Sequence, residues 1–523
     1  MRKYVSILLA ITTVATLTGC GSNNKSQDDA QTQKQAEIEA QAEVPDEVTI
    51  QSAPEFTYTA IKYEGDSSYF GGSAQCISIT DENHKELAVA IDDFFAEKMK
   101  DYNKCCEDYA KEAAKANAKV SEDKEKNEGA ENEFVYDYAP HYEYDIFVTV
   151  TRCDSKVFSF KLEEYTFEGG AHGQTVESGF SFDANTGEEI SFISDYSESF
   201  KQEVFDNIKA SPDFAKEKLF DDYKDTLEDY FKDGMKDVSC WLDYRGATIS
   251  VGAGDIAPYS EGNLYFTLPY SKMKGVDAKL LPESDFYDAN ISSMGLADRI
   301  DVNGDGKEEV VYLEEDEGDD EQIGSVFDLH VGDKTISLGG GDDELVFCNP
   351  YFVHSTAGNY IFIEQSYPIE ANRVELYDVA KDFKKIDKAE GKIIDIEDGQ
   401  ITLQKNVDAF GSWPSEKVYS YGKDGFSTDE TVDRLMNNPN DVDSKGIKTK
   451  AKISYYKKKD GEKIEDTLAR GTVIYPVATD GKELEFITED GETGYFTYET
   501  KEFVRYIDGV SENDLFESLP YAG

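Results

Sequence analysis

The chain has 523 residues, of which 39% are hydrophobic and 12% aromatic, enough apolar material for real cores in roughly two to four domains. Lys and Arg total 53 against 108 Asp and Glu, for a formal net charge of −55. So acidic a balance excludes the basic face that nucleic-acid binding needs, and no nucleic-acid partner is expected. It favours attraction of Ca²⁺ and basic proteins and repulsion of anionic polymers.

At the N-terminus, Arg2 and Lys3 precede an apolar run, residues 4–17, too short for an ordinary transmembrane span. The run closes on Leu17-Thr18-Gly19-Cys20, which resembles a bacterial lipoprotein lipobox. The resemblance implies a signal peptide over residues 1–20, acylation at Cys20 (a diacylglyceryl group and fatty acids such as palmitate) and a stable membrane anchor, since several chains hold where one is marginal. Residues 21–50 are polar and lack aromatics, so they read as a flexible tether. Everything beyond Cys20 is expected on the extracytoplasmic face of the cell membrane. The other cysteines, Cys76, Cys105, Cys106, Cys153, Cys240 and Cys348, have neither framework nor zinc-site spacing. Cys76–Cys153 and Cys153–Cys240 bridges stay open, with unbridged small hydrophobes as the default.

Residues 51–282 carry an α+β pattern. Residues 55–63 alternate as a strand does. Residues 84–119 read as a helix with an apolar stripe of Leu87, Ile91, Phe94, Phe95 and Met99, and residues 114–133 degrade into a Lys/Glu/Asn-rich connection. Residues 144–151 and 156–163 form a strand pair around Cys153-Asp154-Ser155. Residues 165–187, YTFEGGAHGQTVESGFSFDANTG, then place His172 between glycines at the turn of a tight β-arch. A helical region over 197–233 breaks near Pro212, and strands return at 247–251 and 264–268.

The order of these elements, the run at 165–173, Phe182-Asp183 with Thr186-Gly187, and DIAPYSEG at 255–262 before Thr267-Leu268-Pro269-Tyr270 resemble one known domain. It is the extracellular domain shared by lysozyme-sensing anti-sigma-V factors and the N-terminal part of a peptidoglycan deacetylase. The resemblance covers about residues 55–280 and implies sensing-type binding. Two departures limit it. An anti-sigma factor needs a cytoplasmic sigma-binding segment and a transmembrane helix, and neither is legible in this sequence. A deacetylase needs a metal-binding catalytic domain, whereas His84, His141, His172, His330 and His354 are scattered with no paired-histidine motif. No catalytic residue is assigned. His172 and Tyr259 are candidate ligand-binding residues, and the competing role for His172 is a backbone hydrogen bond that fixes the arch.

Residues 283–436 turn to short strands, acidic turns and glycines. Asp301, Asn303 and Asp305, then Gly306, the carbonyl of Lys307 and Glu309, supply the oxygens and sharp bend that a hard cation needs. Tyr312 stands where an EF-hand has its bidentate glutamate, and the loop runs into the strand 310–313. It therefore resembles the calcium-binding hairpin loop of integrin-type propeller repeats, and a structural calcium is expected. The acidic runs at 314–321 and 339–344 read as solvated loops. Evenly spaced strands at 326–330, 360–363, 373–377, 392–396, 400–403 and 417–421 suggest propeller-like blades or a sandwich.

Residues 437–446 form a linker by composition. In the terminal segment, 445–523, strands at 448–456, 471–477, 483–488 and 494–498 with Asp-Gly turns at 480–481 and 490–491 resemble a small SH3-like β-barrel. Such modules commonly bind cell-wall peptides, which makes Tyr495, Phe496 and Tyr498 groove candidates against the reading of core and hairpin aromatics. The expected function is non-catalytic binding or sensing at the envelope, of a cationic protein such as lysozyme or of peptidoglycan fragments. The alternatives are a wall-modifying enzyme using His172 and a purely structural envelope protein.

Overall fold

Alternation of inward and outward side chains builds the first sheet. The structure, a computed structural model, describes residues 52–521 apart from 64, 66–67, 128–140, 237, 293, 317–324, 340–344, 368–371, 438–443 and 460–461. The expected signal peptide, Cys20 and the tether lie outside the described residues, as does most of the linker. Strands β1 (Phe56–Lys62), β2 (Phe70–Ile79), β3 (Tyr142–Cys153), β4 (Val157–Phe167) and β5 (Gln174–Asp183) lie side by side in chain order. The β2–β3 pair is parallel and the rest antiparallel. A parallel pair needs a crossover, and helix α1 (Lys85–Asn127) lies in it.

Leu87, Ile91, Phe95, Tyr102, Cys106 and Ala113 of α1 recur at helical spacing and pack on Ile77, Ile146, Phe158, Phe160 and Phe182 of the sheet. The helix outruns the connection expected from residue 114, because Ala, Lys and Glu are strong helix formers and Asn117, buried, donates back to the Ala113 carbonyl at 2.9 Å. No helix among the described residues is long and apolar enough to cross a membrane.

The other face of the sheet receives a second layer. After helices α2 (Ser197–Ala210), α3 (Asp213–Glu217) and α4 (Tyr223–Tyr230), strands β6 (Cys240–Leu242), β7 (Gly246–Val251) and β8 (Leu264–Pro269) form a three-stranded sheet. The seam between the sheets is polar and close. Leu242 N donates to the hydroxyls of both Ser159 and Ser181 at 3.1 Å, and Thr151 Oγ1 donates to the Leu242 carbonyl at 2.8 Å. Gly179 makes the approach possible, since a Cβ there would stand 2.2 Å from the Cys240 carbonyl oxygen. Phe200, Val204, Ile208 and Leu227 of the helices join Ala247, Ile249, Val251 and Phe266 in the core beneath.

Beyond residue 282 the chain is β. Strands β9 (Tyr287–Asn290), β10 (Asp298–Ile300), β11 (Glu309–Asp316), β12 (Val326–Val331), β13 (Lys334–Leu338), β14 (Phe347–Ser355), β15 (Gly358–Ser366), β16 (Arg373–Asp378) and β17 (Lys384–Glu390) make two sheets, ordered β10-β11-β12-β13 and β17-β16-β15-β14-β9. Glu314 and Glu315 lie in β11, not in a loop, while residues 317–321 and 340–344 of the acidic runs lie outside the described residues. The two sheets face each other across Val311, Leu313, Leu329, Phe352 and Ile363. The far face of the second meets β18 (Lys392–Glu397), β19 (Gln400–Asp408) and β20 (Ser412–Gly422) through Phe362, Leu376, Leu403 and Tyr421. Each sheet thus buries its apolar side on the next.

Strands β21 (Gly425–Ser427) and β22 (Asp433–Leu435) follow, then β23 (Ile447–Thr449), β24 (Ile453–Lys459), β25 (Glu462–Leu468), β26 (Val473–Thr479), β27 (Glu483–Thr488), β28 (Thr493–Thr497), β29 (Glu499–Lys501), β30 (Val504–Ile507), β31 (Val510–Ser511) and β32 (Phe516–Glu517). β22 pairs with β20 on one side and β26 on the other, so strands from before and after the expected linker share one sheet. Phe410 and Trp413 share a core with Ile474, Phe486, Phe496 and Phe516. The molecule is multidomain and mostly β, with an α+β region at its N-terminal side.

Candidate functional site

The arch closes the β4–β5 hairpin, where Tyr165 pairs with Thr175 and Thr166 with Gln174. Gly169 adopts φ 74°, which the turn requires and a side chain resists. Gly173 lies under the Tyr165 ring, whose atoms would be 2.2 Å from an added Cβ. His172 Nδ1–H donates to the Gly173 carbonyl at 3.0 Å.

The second element is the loop 255–262 between β7 and β8. Ile256 and Ala257 are buried and hold its base in the core, and Phe220 N donates to the Ile256 carbonyl at 2.9 Å. Pro258 then turns Tyr259 outward at the start of a short 3-10 turn. Its ring stacks on His172 with centroids 4.2 Å apart and planes at 23°, and its hydroxyl donates to the Gly173 carbonyl at 2.5 Å. Tyr259 remains 38% exposed, and His172 is exposed as well. Two motifs 86 residues apart thus make one aromatic pair, with His172 Nδ1 and the Tyr259 hydroxyl both on the Gly173 carbonyl. His172 thus makes the backbone hydrogen bond expected to fix the arch, while its ring stays exposed.

A charged cluster lies on β5, between the two sheets. The Glu177 carboxylate is buried and accepts from Lys161 Nζ at 2.7 Å, the Ser250 hydroxyl at 2.5 Å and the Tyr265 hydroxyl at 2.8 Å. Burial opposes its charge, but the Lys161 ammonium and these donors outweigh burial and hold the carboxyl below its ordinary value. Lys161 also sits over the rings of Tyr265 at 5.1 Å and Trp241 at 5.7 Å. The sequence signal was a lysine at an inward position of a strand, with its partner carboxylate at an inward position of the next.

The Asp301 loop joins β10 to β11, so it is a hairpin loop leading into a strand. Asp301 Oδ1 accepts from the amides of Gly304 at 2.8 Å and Asp305 at 3.0 Å, and Oδ2 from Gly306 at 2.8 Å. Asn303 Oδ1 accepts from Asp305 N and Asp305 Oδ1 from Lys307 N, each at 2.9 Å. Glu309 reaches back to Val302 N at 2.9 Å and Asn303 Nδ2 at 3.0 Å. A carboxylate has about four lone-pair positions, so these amides orient Asp301, Asn303 and Asp305 without using every one of them. No compact group of three or more His, Cys, Asp or Glu side chains suited to a metal occurs among the described residues. The hairpin is tied to the α+β region: Arg299 of β10 reaches Glu203 at 2.9 Å and Asn207 at 3.0 Å of α2, and Arg245 forks onto Asp298.

The C-terminal candidates divide. Phe496 and Tyr498 are 1% and 4% exposed and belong to the core, so neither lines a groove. The Tyr498 hydroxyl is paired with Thr479 Oγ1 at 2.8 Å, which completes its burial. Tyr495 is half-buried, stacked on Tyr456 at 5.6 Å, with Lys458 Nζ 3.8 Å above its ring. The six described cysteines are all free, so neither suggested bridge forms; Cys153 Sγ instead donates to the Pro54 carbonyl at 3.3 Å.

No curated protein sequence matches the chain significantly. Two solved structures are similar at low level. One is a DUF3298 family member from Bacteroides fragilis, at 17% identity and TM-score 0.31, covering 43% of this chain and 94% of that one. The other is a DUF3298 family protein from Pseudomonas aeruginosa, at 16% identity and TM-score 0.28, covering 45% and 98%. Residues 63–175, which run from just after β1 to the start of β5 beyond the turn of the arch, match the family model described as deacetylase PdaC.

Proposed function

We propose that the protein is an envelope binding protein with a cell-wall-related role, lipid-anchored through Cys20 on the extracytoplasmic face. Its ligand is a cationic protein such as lysozyme, captured without catalysis. The observation that carries this reading is the contact of His172 with Tyr259: two exposed rings, stacked and hydrogen-bonded before any partner arrives, on a body of net charge −55. The charge steers a basic partner to the surface, and the fixed rings spare the ordering that a mobile loop would require on binding. In this reading a calcium ion held by Asp301, Asn303, Asp305, the Lys307 carbonyl and Glu309 serves structure, neutralising a loop that is docked on α2 through Arg299. The C-terminal strands serve as an SH3-like module in which Tyr495, half-buried, remains a ligand-binding candidate. The test is retention of the full chain on immobilised lysozyme. Binding at low ionic strength that weakens with salt supports the reading, and absence of retention at low ionic strength overturns it.

A further inference from the structure

The hairpin of β29 and β30 pairs Lys501 with Val504 and so turns in two residues, Glu502 and Phe503. Both lie in the left-handed region, at φ 50° and 67°. A two-residue hairpin demands this conformation and favours Asn-Gly or Asp-Gly for it, and for a bulky residue it is a genuine outlier. The next hairpin along the chain follows the rule with Asp508-Gly509, at φ 51° and 79°. A second acidic-Phe pair, Asp382-Phe383, also has both φ angles positive, but there the phenyl packs against the core between the two stacked sheets. Burial accounts for Phe383. Among the described residues no packing accounts for Phe503, which is 90% exposed.

The tip is held firmly. Arg505, buried at its base, donates to the Phe503 carbonyl at 2.8 Å, to the Asp408 carbonyl at 3.0 Å and to the Tyr521 hydroxyl at 3.1 Å. Strain that persists because its surroundings enforce it points to use rather than accident.

We propose that Phe503 is an anchor residue, presented by this hairpin to an apolar pocket with a basic rim on a protein partner. Phenyl insertion into a pocket is how a few aromatic residues come to dominate an interface. The charge around the ring selects the partner: Glu502 beside it is exposed, Lys501 is already paired with Glu499 at 2.7 Å, and the whole chain is at −55. An anionic bilayer is repelled by such a surface and a basic protein is attracted. The inference rests on the cationic-protein reading above and adds to it a contact remote in sequence from the arch.

The probe is hen egg-white lysozyme, titrated calorimetrically at low salt into the full chain as wild type, Phe503→Ala and Phe503→Gly. Both variants are expected to bind roughly tenfold more weakly or worse. Phe503→Gly, which suits the left-handed turn, should melt no lower than wild type, so the loss is not unfolding. Unchanged binding by Phe503→Ala overturns this inference and leaves the cationic-protein reading standing. No binding by wild type overturns both. Wild-type chain sedimenting with zwitterionic phosphatidylcholine vesicles while Phe503→Ala does not would assign the ring to a bilayer and overturn the inference as well.

Discussion

Asp288 makes the stability of the protein fall as pH rises from about 4 to about 7. It lies on β9 opposite Val353, partly buried. Burial pushes its carboxyl from 3.8 up to about 7, and repulsion from Asp243 and Asp395 adds to the rise. Arg245 opposes the rise only weakly, since its guanidinium is committed to Asp298. With the native value raised, the folded state holds the proton that the unfolded chain releases between these two pH values. The stabilising contribution is therefore complete below about pH 4 and lost as pH passes about 7. A rise from 3.8 to about 7 corresponds to a ceiling of about 4 kcal/mol at pH 8. Asp288→Asn keeps the shape and removes the ionisation, so it should equal wild type near pH 4 and exceed it by up to that amount at pH 8. The chain has two tryptophans, and in a Trp413→Phe background the fluorescence of Trp241, two residues from Asp243, reports urea unfolding of this region. Parallel pH curves for the wild type and Asp288→Asn would show that the Asp288 carboxyl is not raised in the folded state.

Two further perturbations follow from the packing. Gly179→Ala puts a methyl 2.2 Å from the Cys240 carbonyl oxygen, so it should force the two sheets apart and destabilise the α+β region by about 2 kcal/mol, in the range of overpacking; an unchanged urea midpoint would contradict the close seam. If calcium occupies the Asp301 loop, EDTA should lower the melting temperature of wild type and leave Asp305→Ala unmoved. Equal responses of the two would remove the ion from the account.

Much of the fold was legible because its strands and helices follow simple periods. The stripe of α1 and the alternation in β3, β4 and β5 are local patterns, and the hairpin position of the Asp301 loop follows from the apolar run after it. Other elements were hidden for physical reasons. β14 carries Asn349-Pro350, a pair that argues against a central strand. It survives there because the Pro350 carbonyl still accepts from Ile291 N at 2.9 Å. β17 and β25 read KKIDKAE and EKIEDTL, too charged to be chosen by hydrophobic pattern, and each takes an edge of its sheet where one side meets water. The candidate site was legible only in halves. The His172 arch and the Tyr259 loop each stood out, but their stacking is a tertiary contact that neither motif encodes. Tyr495, Phe496 and Tyr498 alternate along one segment, and alternation cannot say which face a neighbouring hairpin will cover; Phe410 and Phe516 cover Phe496.

The central claim is that the stacked rings form a ready-made contact for a cationic protein. Its most direct test is the affinity of the full chain for lysozyme across a salt series, wild type against Tyr259→Ala. Tyr259→Ala should bind roughly tenfold or more weakly at every salt concentration, the loss of a packed aromatic contact, with the slope against salt unchanged because the acidic body still steers. Equal affinity of the two proteins would contradict it.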